Sequence, residues 1–170
     1  MPLKYLRQFN PVFFWRVTMI KRQFNRCLAM SVLCCLMTPV FAEENGTAEQ
    51  AKAMVQKTIA AMKKNGVDAI IADINKRDGQ YRDRDLYVVV YDMKGKNLAH
   101  LNPKMVGKDL IELKDVDGKS FVKERIDIAT KKGSGWQDYK FLNPESKKIE
   151  LKSMYVEKHD NVIVGCGIYK

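Results

Sequence analysis

Leu86-Tyr87-Val88-Val89-Val90-Tyr91, followed by Asp92-Met93-Lys94-Gly95-Lys96 and then Asn97-Leu98-Ala99-His100-Leu101, decides the fold class. An unbroken β-branched and aromatic run, a turn holding Asp and Gly, and a second short apolar run read as a β-hairpin. Side chains alternate along a strand, so Leu86, Val88 and Val90 share one face while Tyr87, Val89 and Tyr91 share the other. The run from Val162 to Tyr169 divides likewise: Val162, Val164, Cys166 and Ile168 against Ile163, Gly165, Gly167 and Tyr169. One set is aliphatic and suits packing under a helix. The other combines tyrosines with glycines that leave room above the backbone, which is how a small-molecule pocket is commonly lined.

Working outward, Lys119 to Lys132 puts Phe121, Val122, Ile126 and Ala129 on one helical face and is closed by Gly133. Further strands are predicted over 135–141, 149–157 and 162–169, the last two joined by the tight turn Lys158-His159-Asp160-Asn161. Toward the N-terminus, Thr47 and Gln50 form a capping-box pattern, and Ala51, Met54, Val55, Thr58, Ile59 and Met62 recur at helical spacing. Asn65-Gly66 ends that helix. Val67, Ile70, Ile71 and Ile74 predict a second short helix or a bent continuation, and the charged run 76–85 a solvated connection. The order predicts an α+β domain: an antiparallel β-sheet with the long N-terminal helix on one face and a ligand pocket on the other. Trp136 is expected in the core.

The first 42 residues read as an address rather than as fold. They carry six basic residues and no acidic one, and Lys21, Arg22 and Arg26 precede the apolar run 27–37 and the small-residue end Val40-Phe41-Ala42. This predicts a secretory signal peptide over 1–42, cleaved after Ala42, with a single domain over 43–170 in the periplasm or secreted. The apolar run is shorter than the roughly 20 residues of a membrane span, so the mature chain is not expected to cross a membrane. The overall charge of +10 shrinks beyond residue 42 to 24 basic against 20 acidic residues, a net of +4, which excludes a phosphate-binding stripe and hence nucleic acid. Cys166 remains as the lone cysteine there, so no internal disulfide is expected.

The sequence calls for no cofactor and no metal. His100 and His159 are its two histidines, and no Cys or His stands at metal-ligand spacing. Asp115, Asp117, Gly118 and Glu124 match part of a calcium loop, but Leu113 stands where its first ligand would be. Gly165-Cys166-Gly167 lies within a predicted strand and is neither a nucleophile elbow nor a phosphate loop.

Tyr87 to Asp92 with Gly95, Leu98-Ala99-His100, Asn102-Pro103 with Gly107 and Lys108, Asp117-Gly118-Lys119 with Phe121, Gly135-Trp136 with Tyr139, Lys152 with Tyr155 and Val156, and Val164 to Tyr169 follow one another in an order that resembles a single Cache domain of the second type. That module is the extracytoplasmic sensor of bacterial chemoreceptors and histidine kinases. The resemblance implies a PAS-like fold and a non-catalytic domain that binds a small organic ligand, often a short carboxylate such as acetate, propionate or pyruvate, on the sheet face away from the long helix. A buried carboxylate needs a cation or several donors, and Lys152, His100, Tyr139 and Tyr155 offer them. With Tyr87, Tyr91, Phe141 and Gly165 they make the candidate ligand-binding set. Lys152 and Tyr155 are an odd number of positions apart, so a regular strand points them oppositely unless a bulge intervenes. Phe141 stands where the family pattern has a tryptophan. With Lys170 last in the sequence, the expectation is a domain that passes its ligand state to a partner in signal transduction or transport, such as a membrane receptor or kinase, or that carries or buffers the ligand. Two rival readings remain: an interaction subunit that binds no ligand, and a thiol enzyme built on Cys166.

Overall fold

Helix α1 (Ala48–Asn65) begins at the cap its sequence announces: the Thr47 hydroxyl accepts from the Gln50 N–H at 3.3 Å and the Gln50 side chain accepts from the Thr47 N–H at 3.0 Å. Gly66, at φ 90, ends it, and its N–H is bonded to the Met62 carbonyl. Glycine tolerates that backbone conformation without strain. The chain restarts as a separate helix, α2 (Val67–Lys76), so the second apolar run is a new helix. The computed structural model describes residues 45–77 and 79–170, and the signal-like segment lies outside them.

The strands are β1 (Arg82–Asp83), β2 (Leu86–Asp92), β3 (Asn97–Ala99), β4 (Ser134–Leu142), β5 (Ile149–His159) and β6 (Val162–Tyr169). They pair antiparallel in the order β1-β2-β6-β5-β4, with β3 also paired to β2. The central register sets Val88 opposite Cys166, Cys166 opposite Tyr155, and Tyr155 opposite Trp136. Helix α3 (Phe121–Lys132) crosses the second face of the sheet, starting close to where the sequence places it. The chain is thus α+β, with helices packed on an antiparallel sheet, as expected.

Alternation along the strands separates two cores. On one face Leu86, Val88, Val90, Val162, Val164 and Cys166 meet Ala51, Val55, Ile59 and Met62 of α1 and Ile70 and Ile74 of α2. Each large aliphatic side chain buried there contributes about 1.5–3 kcal/mol relative to exposure. On the other face Tyr87, Val89, Tyr91, Tyr139, Met154, Val156, Ile163 and Tyr169 meet Phe121, Val122 and Ala129 of α3.

Two expectations are corrected. The 76–85 connection is not wholly solvated: Tyr81 is buried in the α1 core, its carbonyl accepts from the Val88 N–H at 3.0 Å, and β1 extends the sheet. Trp136 is not a core residue but 40 % exposed, its ring against Tyr155 at 5.4 Å. It lies on edge strand β4, and α1 packs chiefly over β5 and β6. Asp115, weighed for calcium, instead closes a turn, its carboxylate accepting from the N–H groups of Asp117, Lys119 and Lys140. Those bonds, that of Lys140 foremost, hold its pKa below the ordinary value.

Candidate functional site

Lys152 is the side chain around which this face is arranged. It sits on β5 between Tyr139 of β4 and Tyr169 of β6, fully buried. Its ammonium lies 3.8 Å from the Tyr87 ring centroid and 4.4 Å from that of Tyr169, and donates to the Tyr169 hydroxyl at 3.2 Å. Tyr169 gives its own hydrogen to the Leu142 carbonyl at 2.9 Å, so at 3.3 Å it is Tyr87 that donates to Tyr169. Gly167 makes room for this chain: a Cβ there would stand 2.9 Å from Lys152 Cε and 2.7 Å from the Ser153 carbonyl. Burial, reinforced by the charge of Arg125 and opposed by Cys166 and Asp85, pushes the Lys152 pKa down to about 7.

Arg125 is the second cation. It falls four residues after Phe121 and four before Ala129, on the buried face of α3, and is 1 % exposed. Its guanidinium lies 4.8 Å from the Tyr91 ring, 5.3 Å from Tyr139 and 5.5 Å from Phe121. All three of its side-chain nitrogens are buried without a hydrogen-bond partner. Burial opposes its charge, but Tyr91 and Tyr139 outweigh it, and its pKa lies above the ordinary value. The neighbouring acid Glu124 is engaged elsewhere, with Lys119 at 2.9 Å and Gln137 at 2.8 Å. Among the described residues neither Lys152 nor Arg125 is in ion-pair contact with a carboxylate.

Aromatic side chains join the two cations to a cleft. Phe141 lies 5.9 Å from both Phe121 and Tyr139 and 6.4 Å from His100, which in turn meets Tyr87 edge-on at 5.5 Å. Tyr87, His100 and Phe141 form one side of a half-open cleft of ≈ 380 Å³. His100 Nδ1 accepts from the Asn102 N–H at 2.8 Å, which leaves the ring hydrogen on Nε2 and makes that nitrogen a donor. Burial first, then the charges of Lys152, Arg125 and Arg77, lower its pKa to about 3, so the imidazole is neutral. The Tyr139 hydroxyl donates to the Met154 thioether at 3.8 Å, a weak acceptor, and also interacts with Arg125.

Of the eight residues the sequence nominates, the structure gathers Tyr87, Tyr91, His100, Tyr139, Phe141 and Lys152 on the face away from α1. Gly165 shares that face, but a Cβ there would meet Met154 and Val156 at 3.1 and 3.2 Å, away from the cations; Gly167 holds the position expected of it. Tyr155 is not brought to the site: no bulge reverses it, and it belongs to the α1 core, beneath the Lys52 ammonium and beside Trp136. Arg125 was not among the nominees. Its signal was a cation inside an apolar helical stripe, where an exposed residue has no reason to fall. Cys166 faces α1, 3.7 Å from the Met54 sulfur, with its thiol pushed up to about 12 by burial. A thiol so placed is unreactive, and His100 is on the other face.

Residues 35–170 match the family model of single Cache domain 2, and the chain belongs to that family. The methyl-accepting chemotaxis protein McpP of Pseudomonas putida is 29 % identical over 90 residues, which are 51 % of this chain and 16 % of that receptor. The chain therefore spans about a sixth of the length of this relative. A crystal structure of a methyl-accepting chemotaxis protein from Vibrio parahaemolyticus superposes with a TM-score of 0.62 at 25 % identity, covering 71 % of this chain and 86 % of the other. A Cache chemosensory domain, described in terms of its carboxylic acid recognition, shares the fold at a TM-score of 0.54 and 21 % identity over 95 % of this chain and 99 % of its own.

Proposed function

We propose that the chain is an exported sensor domain that binds a small organic anion, a short carboxylate by preference, on the sheet face away from α1, and reports its ligand state to a chemoreceptor or kinase partner. The observation that carries this reading is the pair Lys152 and Arg125, two fully buried cations on one face with no carboxylate in contact among the described residues. Holding an unpaired charge out of water is costly. A carboxylate entering between them relieves that cost, accepting paired N–H bonds from Arg125, whose donors are otherwise idle, and charge from Lys152. Tyr139 supplies a hydroxyl and His100 a neutral N–H donor. Family membership and the chemotaxis receptors among the relatives support sensing, and the signal-like segment 1–42 supports export.

Isothermal titration and thermal shift of the purified protein against acetate, propionate and pyruvate test the reading. A ligand at 100 times its Kd stabilises by about 2.7 kcal/mol. Arg125→Met and Lys152→Met are expected to abolish that shift while leaving a cooperative melt. Binding that survives both substitutions would sink the site, and a flat screen on folded protein would move weight to a subunit that docks on a protein and binds no small molecule.

A further inference from the structure

We infer that the ligand is an amphipathic acid, with an apolar and preferably aromatic body that lies in the cleft bounded by Tyr87, His100, Met105 and Phe141 while its carboxylate goes to the buried cations. This rests on the anion-binding reading above and extends it to the rest of the molecule bound. The cleft, at ≈ 380 Å³, falls in the range of about 300–1,000 Å³ typical of sites for ligands far larger than acetate. A two- or three-carbon acid held by Lys152 leaves that space to water.

The chemistry of the walls says what should fill it. Leu101, Met105, Phe141 and Leu142 present apolar surface, and Tyr87 adds an aromatic face. Such walls gain only when an apolar body displaces water from them, by about 25 cal/mol per Å² covered. Met105 adapts its shape to a ring and makes favourable sulfur–aromatic contacts. Among these walls two neutral polar groups are offered to a ligand: His100 its Nε2–H, and Asn102 its exposed amide. The cleft and the charge are contiguous, because the Tyr87 ring that walls the cleft has the Lys152 ammonium 3.8 Å from its centroid, and Phe141 joins the cleft to the aromatic box around Arg125. The exposed Arg82 and Lys147 also border the cleft, Arg82 paired with Glu145 at 2.7 Å, and a cationic border draws an organic anion inward.

Titration calorimetry with phenylacetate, propionate and benzylamine separates the two readings. Phenylacetate is expected to bind at least tenfold tighter than propionate, and Met105→Gln or Leu101→Gln, both at partly exposed positions, to remove that advantage while leaving propionate affinity unchanged. Propionate binding as tightly as phenylacetate overturns the amphipathic ligand but leaves the anion site standing. Benzylamine binding as tightly as phenylacetate, or no binding by either acid to folded protein, overturns both.

Discussion

The two faces of the sheet share one backbone and differ in everything attached to it. Toward α1 the strands present Leu86, Val88, Val90, Val164 and Cys166, an aliphatic layer whose purpose is burial. Toward α3 they present tyrosines and Lys152, and α3 answers with Arg125. The first face lowers the free energy of the folded chain at every contact; the second retains buried charge that a packing solution would have replaced with methionine or leucine. The division teaches that stability and recognition are carried by alternate residues of the same strands, so they can be perturbed separately.

The strongest way to break that division is on the aliphatic side. Leu86 is fully buried, and truncating it leaves a cavity between β2 and the segment entering α1. Leu86→Ala is expected to cost about 2–5 kcal/mol in urea unfolding. Below its melting point the variant is expected to keep the ligand affinity of the parent protein. Equal loss of affinity in Leu86→Ala and Lys152→Met would mean that the faces are not independent.

Stability against pH sharpens the comparison, because between pH 7 and 10 one shifted group on each face governs the slope and the two act in opposite directions. Lys152 has its pKa lowered from 10.5 to about 7, so between those values the unfolded chain binds more protons and stability rises with pH. Cys166 has its pKa raised from 9.0 to about 12, so above pH 9 the unfolded chain releases a proton that the folded chain keeps, and stability falls with pH. The expected profile climbs from about pH 7 to 9, by at most about 1.4 kcal/mol per pH unit, and flattens above 9. Lys152→Met removes the climb, whereas Cys166→Ala lets it continue toward pH 10. Urea midpoints over this range, in buffer free of small carboxylates, measure both slopes; a climb that persists in Lys152→Met places its origin elsewhere.

Gly167 ties the cation to the backbone. A methyl group there meets the Ser153 carbonyl and the Lys152 chain at distances no Cβ tolerates. Gly167→Ala is expected to cost about 1–3 kcal/mol through overpacking. It is also expected to weaken propionate binding, since Lys152 must move. Gly165→Ala meets only Met154 and Val156 side chains and the Tyr155 carbonyl at 3.1–3.4 Å, so a smaller loss and unchanged affinity are expected.

What the sequence made legible follows from which interactions are local. The hairpin at 86–99, the capped α1 and the allocation of Lys152 and Tyr155 to opposite faces all follow from periodicity, because side-chain direction is fixed within an element. Which face receives which helix, and how far a helix extends over the sheet, depend on contacts between distant segments. Trp136 illustrates this: its strand was correctly placed, but its exposure depends on α1 not covering the β4 edge. Arg125 illustrates the opposite failure. Its place in the apolar stripe of α3 is visible in the spacing from Phe121 to Ala129, but a stripe read from apolar residue types alone passes over a cation within it.

The smallest effect bears on Tyr155, which the sequence counted among the ligand donors. Its hydroxyl donates to Glu157 at 3.0 Å, at the periphery of the α1 face, and it has no contact with Lys152 or Arg125. Tyr155→Phe removes one side-chain hydrogen bond to a carboxylate that keeps access to water, so a loss of about 1 kcal/mol or less is expected. Its affinity for propionate should equal that of the parent protein. Tyr139→Phe, which removes a hydroxyl whose acceptor is a thioether, should alter stability little and should weaken propionate binding. Calorimetry on this pair isolates one hydroxyl on each face. If Tyr155→Phe weakened binding and Tyr139→Phe did not, the ligand would have to lie on the α1 side, and the two buried cations would need another explanation.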